Sequence, residues 1–215
     1  MVRTTGTAGL CLVALGLGIF AACTDNSGAT TTESAAAVEF AGPWTLSGEE
    51  SAITYLSIKN DAVAEPNTFG ALEGMVDESG AAEITIDLNS VNTNVDIRNE
   101  RMREVFFQTD TYPTATATTE LDMAQFETLA LGDSVSVPLD LNITLHGESQ
   151  SNYHDVAVTR LGPNKVLVSS ETPLILYAED FGLLDGLSQL QALAGLDGIT
   201  PIVPVNVSFV FERTT

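Results

Sequence analysis

The chain has 215 residues, enough for one domain with a substantial core, and its charge is lopsided: 8 Lys and Arg stand against 29 Asp and Glu, a formal net charge of −21. A surface this acidic repels nucleic acid and anionic lipid head groups, which both need a basic stripe, so nucleic acid is excluded as a partner. Both cysteines, Cys11 and Cys23, lie near the N-terminus, leaving the rest of the chain without a disulfide framework, a zinc cluster or thiol chemistry.

In chain order, the first element is a secretory signal over residues 1–22. Arg3 supplies a short basic region, and Ala8 to Ala22 is nearly all apolar or small. The apolar run of about 15 residues falls short of the roughly 20 that a spanning helix needs. Phe20-Ala21-Ala22-Cys23 resembles the bacterial lipobox, which implies cleavage before Cys23 and lipidation of that cysteine. The expected location is therefore the bacterial cell envelope, facing the periplasm and lipid-anchored to a membrane. Residues 23–37 carry no large apolar side chain and read as a flexible tether. From residue 38 to 215 there is no second linker and no internal repeat, so this stretch is one domain.

Within the domain the dominant period is two. The strands expected first are Ser51–Lys59, Thr68–Asp77 and the segment in which Ile84, Ile86 and Leu88 alternate with Glu83, Thr85 and Asp87. Next, three of the few arginines, Arg98, Arg101 and Arg103, fall together, followed by Phe106-Phe107 and Tyr112-Pro113. This reads as a short amphipathic helix with Met102, Val105 and Phe106 on its apolar face and Asp96 capping its first turn. Two roles stay open for it. The arginines could meet a ligand head group while Phe106 or Phe107 lines a mouth, or the helix could fasten one end of the domain with its arginines paired to acids.

Further strands are expected at Thr114–Leu121, Val135–Leu145, Asn152–Arg160, Lys165–Glu171 and Val203–Phe211. The unbroken alternation of Val135, Val137, Leu139, Leu141, Ile143 and Leu145 predicts a strand about 36 Å long. A helix is expected over Leu183–Leu196, with Leu183, Leu187, Leu190 and Ala194 on one stripe, plugging or flanking a barrel mouth. Asp77-Glu-Ser-Gly80 and Gly162-Pro-Asn164 are turn signals. His146 and His154 sit symmetrically about a turn expected near Gln150; no third metal ligand accompanies them, and both read as surface residues. Long strands with one apolar face, joined mainly by hairpins, predict an all-β fold: a closed antiparallel barrel of about eight strands with two short helices.

The order of these pieces resembles the YceI-like family of periplasmic proteins. The resemblance rests on Phe69-Gly-Ala-Leu-Glu-Gly74, Ile84–Ser90, Ile97-Arg98-Asn99, Met102-Arg103, Phe106-Phe107, Tyr112-Pro113, Leu145-His146-Gly147 and Asp180-Phe181-Gly182. The Arg–Phe-Phe–Tyr-Pro block is its most specific part, and Asn99 stands where the family usually has Asp. The resemblance implies a lipocalin-like barrel that binds or carries a long isoprenoid lipid, of quinone or polyprenyl type, in an apolar interior. It implies no catalysis and no cofactor beyond such a ligand, and a homodimer stays open. The expected ligand-lining residues are Phe69, Ile84, Ile86, Phe106, Phe107, Val137, Leu139, Leu141, Ile143, Val205 and Val207. Head-group candidates are Arg98, Arg101 and Arg103. The small residues of Thr114–Thr119 would leave room for a slender ligand. Two rival readings are a helper of a quinone-linked redox system and a structural or stress-related envelope protein whose barrel is filled by its own side chains.

Overall fold

The computed structural model describes residues 40 and 42–213; the expected signal, Cys23 and the expected tether lie outside the described residues. Among the described residues, twelve strands form one antiparallel sheet. They are β1 (Trp44–Leu46), β2 (Ala52–Lys59), β3 (Val63–Phe69), β4 (Leu72–Val76), β5 (Ala81–Asp87), β6 (Val91–Asn92) and β7 (Thr114–Glu120). After these come β8 (Ser134–Leu145), β9 (Glu148–Gly162), β10 (Lys165–Ser170), β11 (Leu174–Tyr177) and β12 (Ile202–Arg213). Between β6 and β7 lie α1 (Asp96–Arg101) and a π-helical turn over Met102–Phe107; α2 (Leu184–Ala194) precedes β12.

The sheet closes because the two halves of β12 bind different neighbours. Its first half pairs with β11 on one side and β2 on the other, and its second half pairs with β10 and β1. Thus β1 and β2 are one barrel stave broken by a single 3₁₀ turn, and β3–β4, β5–β6 and β10–β11 are likewise broken staves. With β7, β8, β9 and β12 they form a closed eight-strand up-and-down barrel.

The inward face follows the alternation seen in the sequence. Val137, Leu139 and Ile143 of β8 are buried, as are Val156 and Val158 of β9 and Phe209 and Phe211 of β12. Two apolar clusters stack along the barrel. One, around Trp44, Phe40, Phe126 and Leu129, plugs the end away from the helices. Phe40 packs 5.4 Å from Trp44 and 5.8 Å from Phe126, with the Arg160 guanidinium 5.1 Å over its ring. The other gathers Tyr55, Leu88, Met102, Phe106, Phe107, Phe181 and Leu190 beneath the helices.

Three expectations need correction. Thr68–Asp77 is not one strand: it breaks at Gly70-Ala71, whose two amides both donate to the Ser90 hydroxyl, at 3.1 and 3.0 Å. Its first half belongs to a strand starting at Val63, which Pro66 concealed, because proline cannot donate to a ladder. Pro66 is tolerated because β6 reaches only Thr68 and Phe69, leaving the outer edge of β3 open beyond them. Asp96 does not cap α1; Val95 holds the cap position, and Asp96 is the first helical residue. The third correction concerns the histidines. The β8–β9 turn is His146-Gly147, at φ 54° and 83°, not a turn near Gln150. Positive φ at both central residues is the signature of a type I′ hairpin. His146 therefore sits in the turn, its ring 4.3 Å from that of Tyr112. His154 lies opposite Leu139 and is 9% exposed, so it is an interior residue.

Candidate ligand-binding cavity

A cavity of about 630 Å³ runs through the barrel, within the range of pockets that enclose a small organic ligand. Each apolar residue expected at the lining borders it: Phe69, Ile84, Ile86, Phe106, Phe107, Val137, Leu139, Leu141, Ile143, Val205 and Val207. The small side chains of β7, Ala115, Ala117 and Thr119, also face it. No large side chain projects from that stave, which leaves space where Leu or Phe would fill it.

The helices shape the open end. The π-helical turn follows α1 directly and ends at Gln108, in the left-handed region at φ 50°. It buries both Phe106 and Phe107, whose rings meet edge to face at 4.9 Å, and Phe107 continues to Phe69 and Phe69 to Tyr55, at 5.9 and 5.4 Å. Next, α2 lies against this turn at Gly186. A Cβ there would come within 3.1 Å of the Val105 carbonyl and 3.3 Å of the Phe106 Cα, so glycine gives the closest approach and a larger residue would need the turn to yield by a few tenths of an ångström. The stripe Leu183, Leu187, Leu190 and Ala194 faces the cavity. Val95, Ile97, Tyr177 and Ala194 border the cavity yet are exposed, and all four belong to the helical end, which marks the mouth.

Polar groups concentrate beneath that mouth. Glu65 on β3 receives Lys59 Nζ and Arg98 Nη1, each at 2.6 Å, which ties α1 to the β2–β3 hairpin. The Lys59 hydrogen bond holds the Glu65 carboxyl below its ordinary value; burial opposes this, and Arg98 reinforces it. The other end of the Arg98 guanidinium donates to the Thr93 carbonyl. Asn99 acts structurally. Its Oδ1 accepts from the Thr93 amide at 2.7 Å and the Thr93 hydroxyl at 2.6 Å, pinning the approach to α1. Arg101 Nη1 donates to the Leu193 carbonyl at 3.2 Å, bridging the two helices. Of the three arginines expected at a head group, Arg98 and Arg101 border the cavity, whereas Arg103 is not among its lining residues.

Sequence reasoning missed the residues just inside this mouth. Tyr55 and Asn67 are cross-strand partners on β2 and β3, 8% and 2% exposed. Asn67 Nδ2 donates to Ser57 Oγ and the Glu65 carbonyl, both at 3.1 Å, while its Oδ1 is enclosed without a partner. The Tyr55 hydroxyl and Arg98 Nε are likewise enclosed and unpartnered among the described residues. Burial raises the Tyr55 phenol well above its ordinary value, and the nearby Arg98 charge offsets part of that rise. Unsatisfied buried polar atoms are costly, so three of them around one cavity end form a surface prepared for a polar group. Tyr55 was legible, because it shares the parity of Ile53 in a strand that was expected; Asn67 was hidden by Pro66.

The chain matches the YceI-like domain family over residues 44–211. It is similar to a polyisoprenoid-binding domain from Saccharophagus degradans implicated in plant cell wall breakdown, with 35% identity and a TM-score of 0.78 over 80% of this chain and 98% of that one. BcnA of Burkholderia cenocepacia shares the fold at 16% identity, TM-score 0.59, over 77% of this chain and 98% of that one. A YCEI protein from Campylobacter jejuni shares it at 16% identity, TM-score 0.50, over 69% of this chain and 85% of that one. A comparison with curated proteins found no match.

Proposed function

The chain belongs to the YceI-like domain family, and from that premise we propose that its barrel binds an isoprenoid lipid, of quinone or polyprenyl type, without catalysis. The observation that carries this reading is the apolar cavity of about 630 Å³ with three enclosed, unpartnered polar atoms and all its cationic side chains beneath one mouth. An isoprenoid is a long apolar chain with one polar end, and the cavity has the same polarity profile. Burying one five-carbon unit gains about 4 kcal/mol before the costs of ordering, at roughly 0.8 kcal/mol per carbon, so binding needs little polar chemistry. A head group held at the mouth sits against Tyr55, Asn67 and Arg98, and its chain extends past Phe69, Ala117 and Leu141 toward the aromatic plug. A cavity of this size does not suit the rival in which the barrel is filled by its own side chains. The 35% identity to a polyisoprenoid-binding domain supports the ligand class.

The site of action belongs to the same proposal: the cell envelope, with Cys23 carrying a lipid anchor, a reading supported by the sequence before the domain. Cys23→Ser is expected to abolish acylation and membrane retention; retention unchanged would remove the anchor from the account. Binding itself is tested by titrating delipidated protein, from Val38 onward, with isoprenoid alcohols. Trp44 is the single tryptophan and borders the cavity, so its emission should change on filling. An unchanged emission together with no heat of binding would overturn the proposal.

A further inference from the structure

His154 is the one histidine on the cavity wall. It is 91% buried, being 9% exposed, and its Nε2 is enclosed with no hydrogen-bond partner among the described residues. Its position follows from the register. It faces Leu139 across the β8–β9 ladder, and Leu139 belongs to the cluster away from the helices. On the other side of β9, the pairing with β10 ends at Val156–Ser170, because the β10–β11 stave is broken there. The imidazole therefore has no inward strand neighbour on that side to meet it. Thr119 provides a second enclosed, unpartnered atom, its Oγ1. Thr118 pairs with Asn142, which sets Thr119 beside Leu141. The middle of β8 is thus flanked by an imidazole on one side and a hydroxyl on the other, both bordering the same cavity.

The cationic side chains that border the cavity, Lys59, Arg98 and Arg101, belong to the mouth. Around His154 the wall is Leu139, Leu141 and Val156, with neutral Thr119 and Ser170. An anionic head placed there would be desolvated without a counter-charge. An imidazole N–H donates to a hydroxyl or a carbonyl oxygen, so the side chain suits either.

We propose that His154, with Thr119, forms an inner hydrogen-bonding station that takes a neutral ligand oxygen, while an anionic head stays at the cationic mouth. The barrel then holds isoprenoids in two registers sorted by head-group charge. This rests on the isoprenoid reading. The test titrates ¹⁵N-labelled protein with geranylgeraniol and with geranylgeranyl phosphate, following the His154 Nε2 resonance in long-range ¹H–¹⁵N spectra. The alcohol is expected to shift that resonance and the phosphate to leave it in place. His154→Phe should weaken the alcohol roughly tenfold, about one lost hydrogen bond, and the phosphate less than twofold. His154→Gln should recover part of the loss. An alcohol that binds without moving Nε2, or a variant that weakens both ligands equally, overturns the station and leaves the isoprenoid reading standing. Binding of neither ligand overturns both. Should His154→Phe fail to fold, the wild-type spectra decide alone.

Discussion

Replacing Ala117 with Phe tests whether the barrel interior is ligand space or packed core. Ala117 is on β7, between Ile84 of β5 and Ile143 of β8, and borders the cavity midway along the wall. A phenyl ring takes the place of roughly six ligand carbons, which at about 0.8 kcal/mol each sets an upper limit near 5 kcal/mol of lost binding. A ligand can shift within the remaining space, so the expected loss is about 1.5–3 kcal/mol, a Kd ten- to a hundredfold weaker. The ligand-free protein should move the other way. An aromatic ring entering an apolar cavity buries surface without forcing neighbours apart, and a gain of about 1–2 kcal/mol in unfolding free energy follows. Titration through Trp44 emission measures the first effect, and urea unfolding of delipidated wild type and Ala117→Phe measures the second. Had the interior been close-packed, the same change would cost about 1–3 kcal/mol by overpacking. A less stable variant that binds as tightly as wild type would refute the cavity and the reasoning built on it.

Other consequences follow from the mouth. Tyr55→Phe removes an enclosed, unpartnered hydroxyl, so the ligand-free protein should gain about 1 kcal/mol in urea unfolding while binding of a ligand seated at the mouth weakens. Glu65 has a lowered pKa, so its contribution is complete above its ordinary value of 4.5 and is lost as pH falls through the lower, folded value. The protection of α1 amides against hydrogen exchange, taken relative to the intrinsic rate at each pH, should therefore fall below about pH 4.5, and the stability lost should be no more than about 1 kcal/mol, since the ion pairs are partly solvated. Glu65→Gln should show the loosened α1 at neutral pH and little further change on acidification. Gly186→Ala sets a Cβ 3.1 Å from the Val105 carbonyl, so the seat of α2 on the π-helical turn must shift by a few tenths of an ångström; faster ligand release in stopped-flow is expected, and an unchanged release rate would separate this contact from the mouth.

The barrel was largely legible, because a strand with one buried face writes its parity into the sequence. The run from Val135 to Leu145 marked its inward residues one by one, and the small residues of β7 marked where space remains. The broken staves were not legible. Gly70-Ala71 reads as continuous strand until Ser90, nineteen and twenty residues away, is known to receive both amides. Asn67 was concealed by Pro66, whose lost amide bond matters only if a neighbour lies on that side. The histidines turned on register: moving the hairpin from Gln150 to His146-Gly147 sends His154 from the surface into the cavity. Of the arginine segment, the sequence revealed the clustering, but the division of labour depends on distant partners. Arg98 reaches Glu65, Arg101 reaches Leu193, and Asn99 clamps Thr93.

The most direct test of the account is to purify the folded domain from a cell envelope fraction, extract it with organic solvent and identify the extract by mass spectrometry. The account predicts an isoprenoid, recovered in near-stoichiometric amount from wild type and depleted from Ala117→Phe. A well-folded wild-type preparation that yields no isoprenoid, or equal amounts from both proteins, would contradict it.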